Sequence, residues 1–376
     1  MDTLAAPAGE LELHRWPADG RDPLRAFDAA DTLVLQHLAG VDLRGVTVVL
    51  NDRWGALAAG LSEHHPVSVS DSWISQQSTR ANLARNGLGE VTVLSSLEEL
   101  PERIDVLVFR VPRALGLLEH ELHLLAPRVH AGTVVVGAAM VKELHTSTLA
   151  LIEALLGPTR TSLATRKARL VFVEPDPVLV RPPDPWPRTL MLAPDAPAGL
   201  AGVSVTQHAG VFSAEHLDIG TRFLLEHLPA RSGVEQVVDL GCGNGVLGVA
   251  AGLANPRAQV CFTDESYLAV DSARQSWRGV HGAREASFAV GDGLAHVRRP
   301  VDLVLCNPPF HLGRGMSDAV AWRMFVAARR ALRPGGELWV VGNRHLGHHA
   351  RLGRLFGSCA VVASNRKFVV SRVVRV

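Results

Sequence analysis

Four consecutive residues, Asn307-Pro308-Pro309-Phe310, close the apolar run 303–306. An amide, two prolines and an aromatic ring at the end of a buried strand could together hold a planar amine. The prolines lack N–H donors and fix both φ angles, so the Pro308 carbonyl is held in place. That carbonyl and the Asn307 carboxamide oxygen can accept both hydrogens of one –NH2 group. The nitrogen lone pair then points at an electrophile, and both bonds strengthen as positive charge grows on nitrogen. Phe310 would stack on the ring that carries the amine. No strong base is needed, because attack precedes proton loss.

A second cluster supplies the partner for that amine. In VVDLGCGNGVLG a strand over 237–240 runs into a helix expected to begin near Val246. Gly241, Gly243 and Gly245, with Cys242 between the first two, allow positive φ and a close backbone approach to a ligand. The helix amino end adds unpaired N–H groups. Gly243, Gly245 and Gly248 also satisfy GxGxxG, so a dinucleotide oxidoreductase is the rival reading. Three carboxylates separate the two. Asp239 lies inside the strand, where a pyrophosphate gains nothing from a negative charge but a cationic amino-acid moiety does. Asp264 ends the next strand, where it can accept from both ribose hydroxyls. Asp292 ends the third and can accept from an adenine amino group. Three successive strand ends bearing Asp favour S-adenosylmethionine over a nicotinamide dinucleotide.

These residues need a scaffold, and the chain spells one out twice. The first half reads VTVVLNDRWGALAAGL, then VSVSDSWISQQSTRANLARNG, then DVLVFRVPRAL. The second reads QVVDLGCGNGVLGVAAGL, VCFTDESYLAVDSARQSW and VDLVLCNPPFHLG. Each set is strand, turn, helix; then a strand ending in Asp; then a strand ending in a Pro-containing corner. TRKARLVFV closes the first half and NRKFVVSRVV the second. The alternation predicts an α/β fold: two tandem Rossmann-like domains with mostly parallel, twisted sheets flanked by helices. Eight prolines between 175 and 200 exclude a continuous helix there and predict a linker or an extended crossing segment between a domain at 1–174 and one at 201–376. Where the second half has its glycines, the first has Asn51, Asp52, Arg53 and Trp54; where the second has Asn307 to Phe310, the first has Arg110 to Arg113. The pattern predicts a duplication in which only the second copy kept a site.

With 376 residues, 47% of them apolar and 20% charged, the chain has material for two cores. It shows no leader and no apolar run of bilayer-spanning length. The four cysteines, Cys242, Cys261, Cys306 and Cys359, form no CxxC pair, which argues against a zinc cluster or disulfide framework and fits a reducing cytoplasm. Histidines 345, 348 and 349 have imperfect metal-ligand spacing and no nearby acids, so no metal is expected. Net charge is +1, yet residues 311–376 hold twelve Lys/Arg against two acids. A basic final third suits a phosphate-facing patch. Arg344, His345, Arg366 and Lys367 are the candidates for that patch, at the entrance for a phosphate-bearing substrate.

The chain resembles the ribosomal RNA guanine-N2 methyltransferases with duplicated domains, most of all the bacterial enzymes acting on large-subunit (23S) RNA. The resemblance runs through PLRAFDAADTLVLQHL, HTSTLALIEALLGPT, HAGVFSAEHLDIGTRFLLEHLP, NPPFH and VGNRHLGHHARLGRLFG. It implies class I methyltransferase domains, the first degenerate and non-catalytic. It implies that Asp239, Gly241, Cys242, Gly243, Gly245, Asp264, Asp292 and Phe212 hold S-adenosylmethionine, while Asn307, Pro308, Pro309 and Phe310 receive guanine. The segment from Phe212-Ser213 to Asp218-Gly220 matches a family loop leading into the donor site. The expected substrate is 23S rRNA, protein-free or early in assembly, and the expected enzyme is a cytoplasmic monomer. Guanine N2 is paired in duplex RNA, so the base must be displaced. Three alternatives stay open: a small-subunit (16S) guanine methyltransferase, a protein glutamine methyltransferase, and a non-catalytic RNA-binding module.

Overall fold

The computed structural model describes residues 3–6, 9–17, 24–233, 235–297, 299–309 and 314–376, with backbone alone for 314–317. The chain forms two compact units, Met1–Trp186 and Pro187–Val376.

The first unit opens with an antiparallel pair, β1 (Thr3–Ala6) and β2 (Gly9–Glu12), followed by α1 (Ala29–Leu38). Next come β3 (Thr47–Leu50), α2 (Ala56–Gly60), β4 (Val67–Val69), α3 (Trp73–Arg85) and β5 (Thr92–Leu94). The unit ends with β6 (Ile104–Arg110), α4 (Leu115–Leu125), β7 (Val129–Met140), α5 (Thr146–Leu156), β8 (Thr159–Thr161) and β9 (Ala168–Val173). Its seven-stranded sheet has the order β5-β4-β3-β6-β7-β9-β8; only β9 breaks the parallel run, pairing antiparallel with both β7 and β8.

The second unit begins with β10 (Arg188–Met191) and β11 (Ser204–Gln207), paired antiparallel, and α6 (Ile219–Leu225). It continues with β12 (Gln236–Leu240), α7 (Val246–Ala254), β13 (Gln259–Asp264), α8 (Tyr267–His281) and β14 (Ser287–Val290). Then come β15 (Val301–Cys306), α9 (Arg314–Ala331), β16 (Leu332–Asn343), α10 (His348–Phe356), β17 (Ala360–Ser364) and β18 (Phe368–Val374). The sheet order, β14-β13-β12-β15-β16-β18-β17, repeats that of the first unit position by position. The α/β architecture read from the alternation of elements is therefore present in both halves.

Alternating strand residues build a core on each face of the second sheet. Val237, Leu303, Leu305, Trp339 and Val341 pack with α6, α7 and α8, whereas Val238, Val304, Leu338 and Val340 pack with α9 and α10. Connections reverse direction between β12 and β15, which opens a crevice at their carboxyl ends, the place where open α/β sheets bind ligands. The glycine turn follows β12 and the proline corner follows β15, so the fold delivers both to one crevice.

The Pro-rich stretch 175–200 runs from the first unit into the second. Asp176 N–H donates to the Leu156 carbonyl at 2.8 Å and Arg181 Nε to the Leu155 carbonyl at 2.6 Å, tying that part to the first unit. Residues from Arg188 onward join the second unit through the β10–β11 pair. Proline excludes helix but tolerates edge strands and extended segments that dock through carbonyls, so the stretch is shared between the units.

The Asp that follows the matched strand of the first half, Asp71, is not the equivalent of Asp264. Ser72 and Ser266 are the equivalent caps of α3 and α8, accepting from Ser75 N–H at 3.1 Å and Ala269 N–H at 3.0 Å. Two residues before each cap stand Ser70 and Asp264, which accept from the cap N–H at 3.1 Å in both cases. Asp71 lies one place too late. The equivalent of Asp264 is a serine.

Candidate active site

The glycine turn is built for close approach. Gly241, Gly243 and Gly245 have φ of 70°, 52° and 81°, in the left-handed region that a Cβ disfavours. A Cβ on Gly243 would meet only Val211 Cγ1, at 3.9 Å, so the backbone there faces open space. Gly248 serves packing instead: its Cβ would lie 2.3 Å from Phe262 Cε1. The third glycine of GxGxxG is thus explained by helix–strand contact, without a dinucleotide. Burial pushes the Cys242 thiol well above the usual thiol range, which rules it out as a ready nucleophile.

Asp239 and Asp264 brace this turn. Asp239 is 1% exposed; its Oδ2 accepts from Gly248 N–H at 2.8 Å, while Oδ1 has no partner among the described residues. Burial, and secondarily the charge of Asp264, pushes its carboxyl up to about 8 despite the Gly248 bond. A buried acceptor left open next to a glycine turn suits a cationic group. Asp264 accepts from Gly243 N–H through Oδ2 at 3.0 Å and from Ser266 N–H through Oδ1 at 3.1 Å. Burial raises its carboxyl even so. The carboxylate retains acceptor capacity for a ribose hydroxyl beside these backbone donors. Asp292 has a neighbour that the sequence did not suggest: its Oδ2 lies 3.6 Å from Arg323 Nε, on α9.

Phe212 is 48% exposed, in a loop tied to the turn by one buried side chain. Gln207 Nε2 donates to the carbonyls of Val211 and Phe212 at 2.8 and 3.3 Å, and its Oε1 accepts from Asn244 Nδ2 at 2.9 Å. Sequence reasoning missed Gln207, because nothing local to residue 207 announces a contact with residue 244.

Asn307 carries the most specific geometry. Its Nδ2 donates to Asp218 Oδ2 at 3.1 Å and to Thr221 Oγ1 at 2.9 Å. A carboxylate only accepts, so the amide nitrogen must face Asp218, and this fixes which end is oxygen. Asp218 is itself anchored as the N-cap of α6, accepting from Thr221 N–H at 2.8 Å. Oδ1 of Asn307 is left buried, without a partner among the described residues. Pro308 is buried and Pro309 half-buried, while Phe310 lies outside the described residues. The result is a pre-aimed carbonyl oxygen able to take one hydrogen of an amine. The Asp-x-x-Thr signature of the α6 cap was readable; its link to a residue 89 positions away was not.

The four basic candidates converge at the same sheet edge. Asn343 pairs with Phe368 across β16 and β18, so the turns carrying Arg344-His345 and Arg366-Lys367 are adjacent. Arg344 N–H donates to the Lys367 carbonyl at 2.9 Å, and all four residues are exposed. Other cations of the basic third are engaged elsewhere: Arg351 pairs with Asp318 at 2.6 Å, Arg372 with Glu337, and Arg375 bonds the Leu332 carbonyl. No cluster of three or more His, Cys, Asp or Glu that could hold a metal occurs among the described residues. No helix among them is long and apolar enough to cross a membrane.

Comparison with known proteins places this geometry in context. Residues 1–177 match the family described as RLMG N-terminal domain, and residues 202–372 the methyltransferase small domain. A Streptomyces avermitilis protein named ribosomal RNA large subunit methyltransferase G is 58% identical over 379 residues, spanning 100% of this chain and 99% of its own. A Pseudomonas aeruginosa protein of the same name is 46% identical over 376 residues, spanning 98% of this chain and 99% of its own. Among solved structures, the T. thermophilus 16S rRNA N2 G1207 methyltransferase, in complex with AdoMet and guanosine, aligns with a TM-score of 0.77. It covers 100% of this chain and 98% of its own at 21% identity, a likeness that establishes the methyltransferase fold over both units.

Proposed function

Since this chain belongs to the ribosomal RNA large subunit methyltransferase G family, we propose that it transfers a methyl group from S-adenosylmethionine to the exocyclic N2 amine of a guanine in 23S rRNA. The observation that carries the reading is Asn307: its amide is locked by Asp218 and Thr221, and its oxygen is left open beside the glycine turn.

The residues fit the donor. Asp239 Oδ1 offers the ammonium group a buried partner, Asp264 offers the ribose two acceptor oxygens, and Gly243 leaves the backbone clear. Asp292 retains lone pairs for an adenine amine beside Arg323, and Gly241, Cys242, Gly245 and Phe212 complete the walls. The donor supplies a methyl carbon made electrophilic by its sulfonium. At the acceptor, Asn307 Oδ1 and the Pro308 carbonyl take the two N2 hydrogens, so the lone pair faces that carbon. The N–C bond forms as the C–S bond breaks, and the sulfur leaves as a neutral thioether. Positive charge passes to nitrogen, where the two acceptor oxygens stabilise it, and one proton is then lost to water. Pro309 borders the cleft for the flat base, and the stacking expected of Phe310 falls on a residue outside those described.

The base must leave its helix to reach this cleft, which favours protein-free RNA or an early assembly intermediate. Arg344, His345, Arg366 and Lys367 flank its entry. The second unit is the catalytic domain and the first a non-catalytic one, in a cytoplasmic monomer. The test is incubation with labelled donor and protein-free large-subunit RNA, followed by digestion and nucleoside mapping. N2-methylguanosine at one position is expected. Label only in small-subunit RNA, in protein, or nowhere would overturn the reading.

A further inference from the structure

Asn343 is the last residue of β16, and its Oδ1 is buried with no hydrogen-bond partner among the described residues. Two more acceptors at this sheet edge share that condition, Oδ1 of Asp239 and Oδ1 of Asn307. Strand alternation puts all three on one face. Val237, Leu303, Leu305, Trp339 and Val341 point toward α6, α7 and α8, and Asp239, Asn307 and Asn343 continue those series by steps of two. Contacts agree with this: Asp239 bonds the α7 backbone and Asn307 bonds Asp218 and Thr221 of α6. The residue paired with Asn343, Phe368, packs against α6, where a Cβ on Gly220 would lie 3.1 Å from its ring. β12, β15 and β16 are neighbours, so the three open oxygens form a row.

Buried acceptors are nearly always paired, and an isolated exception is unfavourable. Three in a row describe a surface that a ligand completes. The glycine turn and Asp264 lie over β12 and β13, so the donor takes that end. Asn343 is at the opposite end, past Asn307, on the substrate's side. A guanine whose N2 amine sits at Asn307 carries its next donor, N1–H, directly beside that amine.

We propose that the Asn343 carboxamide oxygen accepts the guanine N1–H, making Asn343 a specificity-determining residue that rejects purines with a 2-amino group but no N1 proton. The inference rests on the guanine-N2 reading above. Adenine lacks both donors, whereas 2,6-diaminopurine lacks only the one read by Asn343.

The experiment uses the full chain and an RNA fragment carrying either guanosine or 2,6-diaminopurine riboside at the mapped position. Wild type is expected to favour guanosine by about 10- to 100-fold in kcat/KM. Asn343→Leu should lower guanosine turnover by that factor and change diaminopurine turnover less than about threefold, so the preference collapses while donor Kd stays unchanged. Asn343→Asp keeps an acceptor at the same reach and should keep the preference; Asn343→Ala replaces the Leu variant if circular dichroism shows that one unfolded. A preference that survives loss of the carboxamide, or one absent in wild type, overturns the proposal. Failure of the underlying reading looks different: wild type would then place no methyl on guanosine N2.

Discussion

The two units differ most where they are most alike. Asp105 and Asp302 occupy the same place in β6 and β15, accepting from Val46 N–H at 2.9 Å and Gln236 N–H at 2.7 Å. Counting forward, Arg110 stands where Asn307 stands. Asp28-x-x-Asp31 caps α1 as Asp218-x-x-Thr221 caps α6. In the first unit Arg110 donates to Asp28 at 2.9 Å and to Asp31; in the second Asn307 donates to Asp218 and Thr221. The same three-way contact is present in both. What changes is the free end: an amide leaves an acceptor over, whereas a guanidinium has none to leave. The register also sets Val49 against Asp239 and Met140 against Asn343. Each open oxygen of the second unit therefore has an apolar or cationic counterpart in the first.

The lesson is that one scaffold contact can be kept with an open acceptor in one unit and without one in the other. A cap carboxylate is needed for the helix, so it must keep a donor whatever the function. In the first unit a buried ion pair took over that duty. The glycine turn shows the same substitution. Ala58 and Gly248 hold equivalent helix positions, and each N–H donates to a carboxylate at 2.8 Å. The acid is Asp52 in one and Asp239 in the other; Asp52 has both oxygens bonded, the second by Gly55 N–H at 3.1 Å. Asn51 further closes the first unit's turn by donating to buried Glu121 at 2.7 Å, whose carboxyl burial pushes up to about 8.

The sharpest way to break the comparison is to make the second unit copy the first. Asn307→Arg with Thr221→Asp rebuilds the Arg110–Asp28–Asp31 arrangement. Methyl transfer should fall by about a thousandfold or more, since the acceptor for the amine becomes a donor. Melting temperature and donor affinity, by calorimetry, should change little. An active double variant would sink the assignment of Asn307. The reciprocal test is Arg110→Met, which strands two carboxylates beneath the first unit. It should destabilise the protein by about 3–5 kcal/mol in chemical denaturation, while protein still folded at low temperature transfers methyl at a normal rate.

These contrasts also show what the sequence could disclose. The succession of strands along the chain, the glycine turn and the proline corner are written in local patterns: runs of β-branched residues, glycines at a strand–helix junction, prolines at a strand end. The Asp218–Asn307 contact joins residues 89 apart, and only the sheet order brings α6 beside β15. Asp292's neighbour Arg323 was hidden for the same reason. The Ser70-for-Asp264 exchange was masked by Asp71 next door, because letters align without regard to which residue precedes the helix cap. Asn343 was passed over because an amide at a strand end is ordinary; only its unpaired oxygen distinguishes it.

Ionisation separates the units next. Asp239, pushed up to about 8 by burial, carries a proton at neutral pH, whereas Val49 in its place carries no charge. Pairing with the donor's ammonium requires the carboxylate, so the proton must leave on binding. Donor Kd should then tighten about tenfold per unit as pH rises from 6 to 7.5. Asp239→Asn should flatten that dependence. A flat wild-type profile by titration calorimetry would mean that the ammonium is held elsewhere.

The smallest effect lies at the basic turns. Arg166-Lys167 precedes β9 as Arg366-Lys367 precedes β18, so the units present matching cation pairs. The second pair stands at the sheet edge of its own unit that carries the open oxygens. Arg366→Glu with Lys367→Glu should weaken RNA binding several-fold and reduce the slope of log affinity against log salt by about 1 to 2. The same reversal at Arg166 and Lys167 should leave both within error in filter binding at several salt concentrations. Equal losses from the two reversals would give the first unit a share of the RNA surface, and a loss confined to it would move the entrance away from Asn307 altogether.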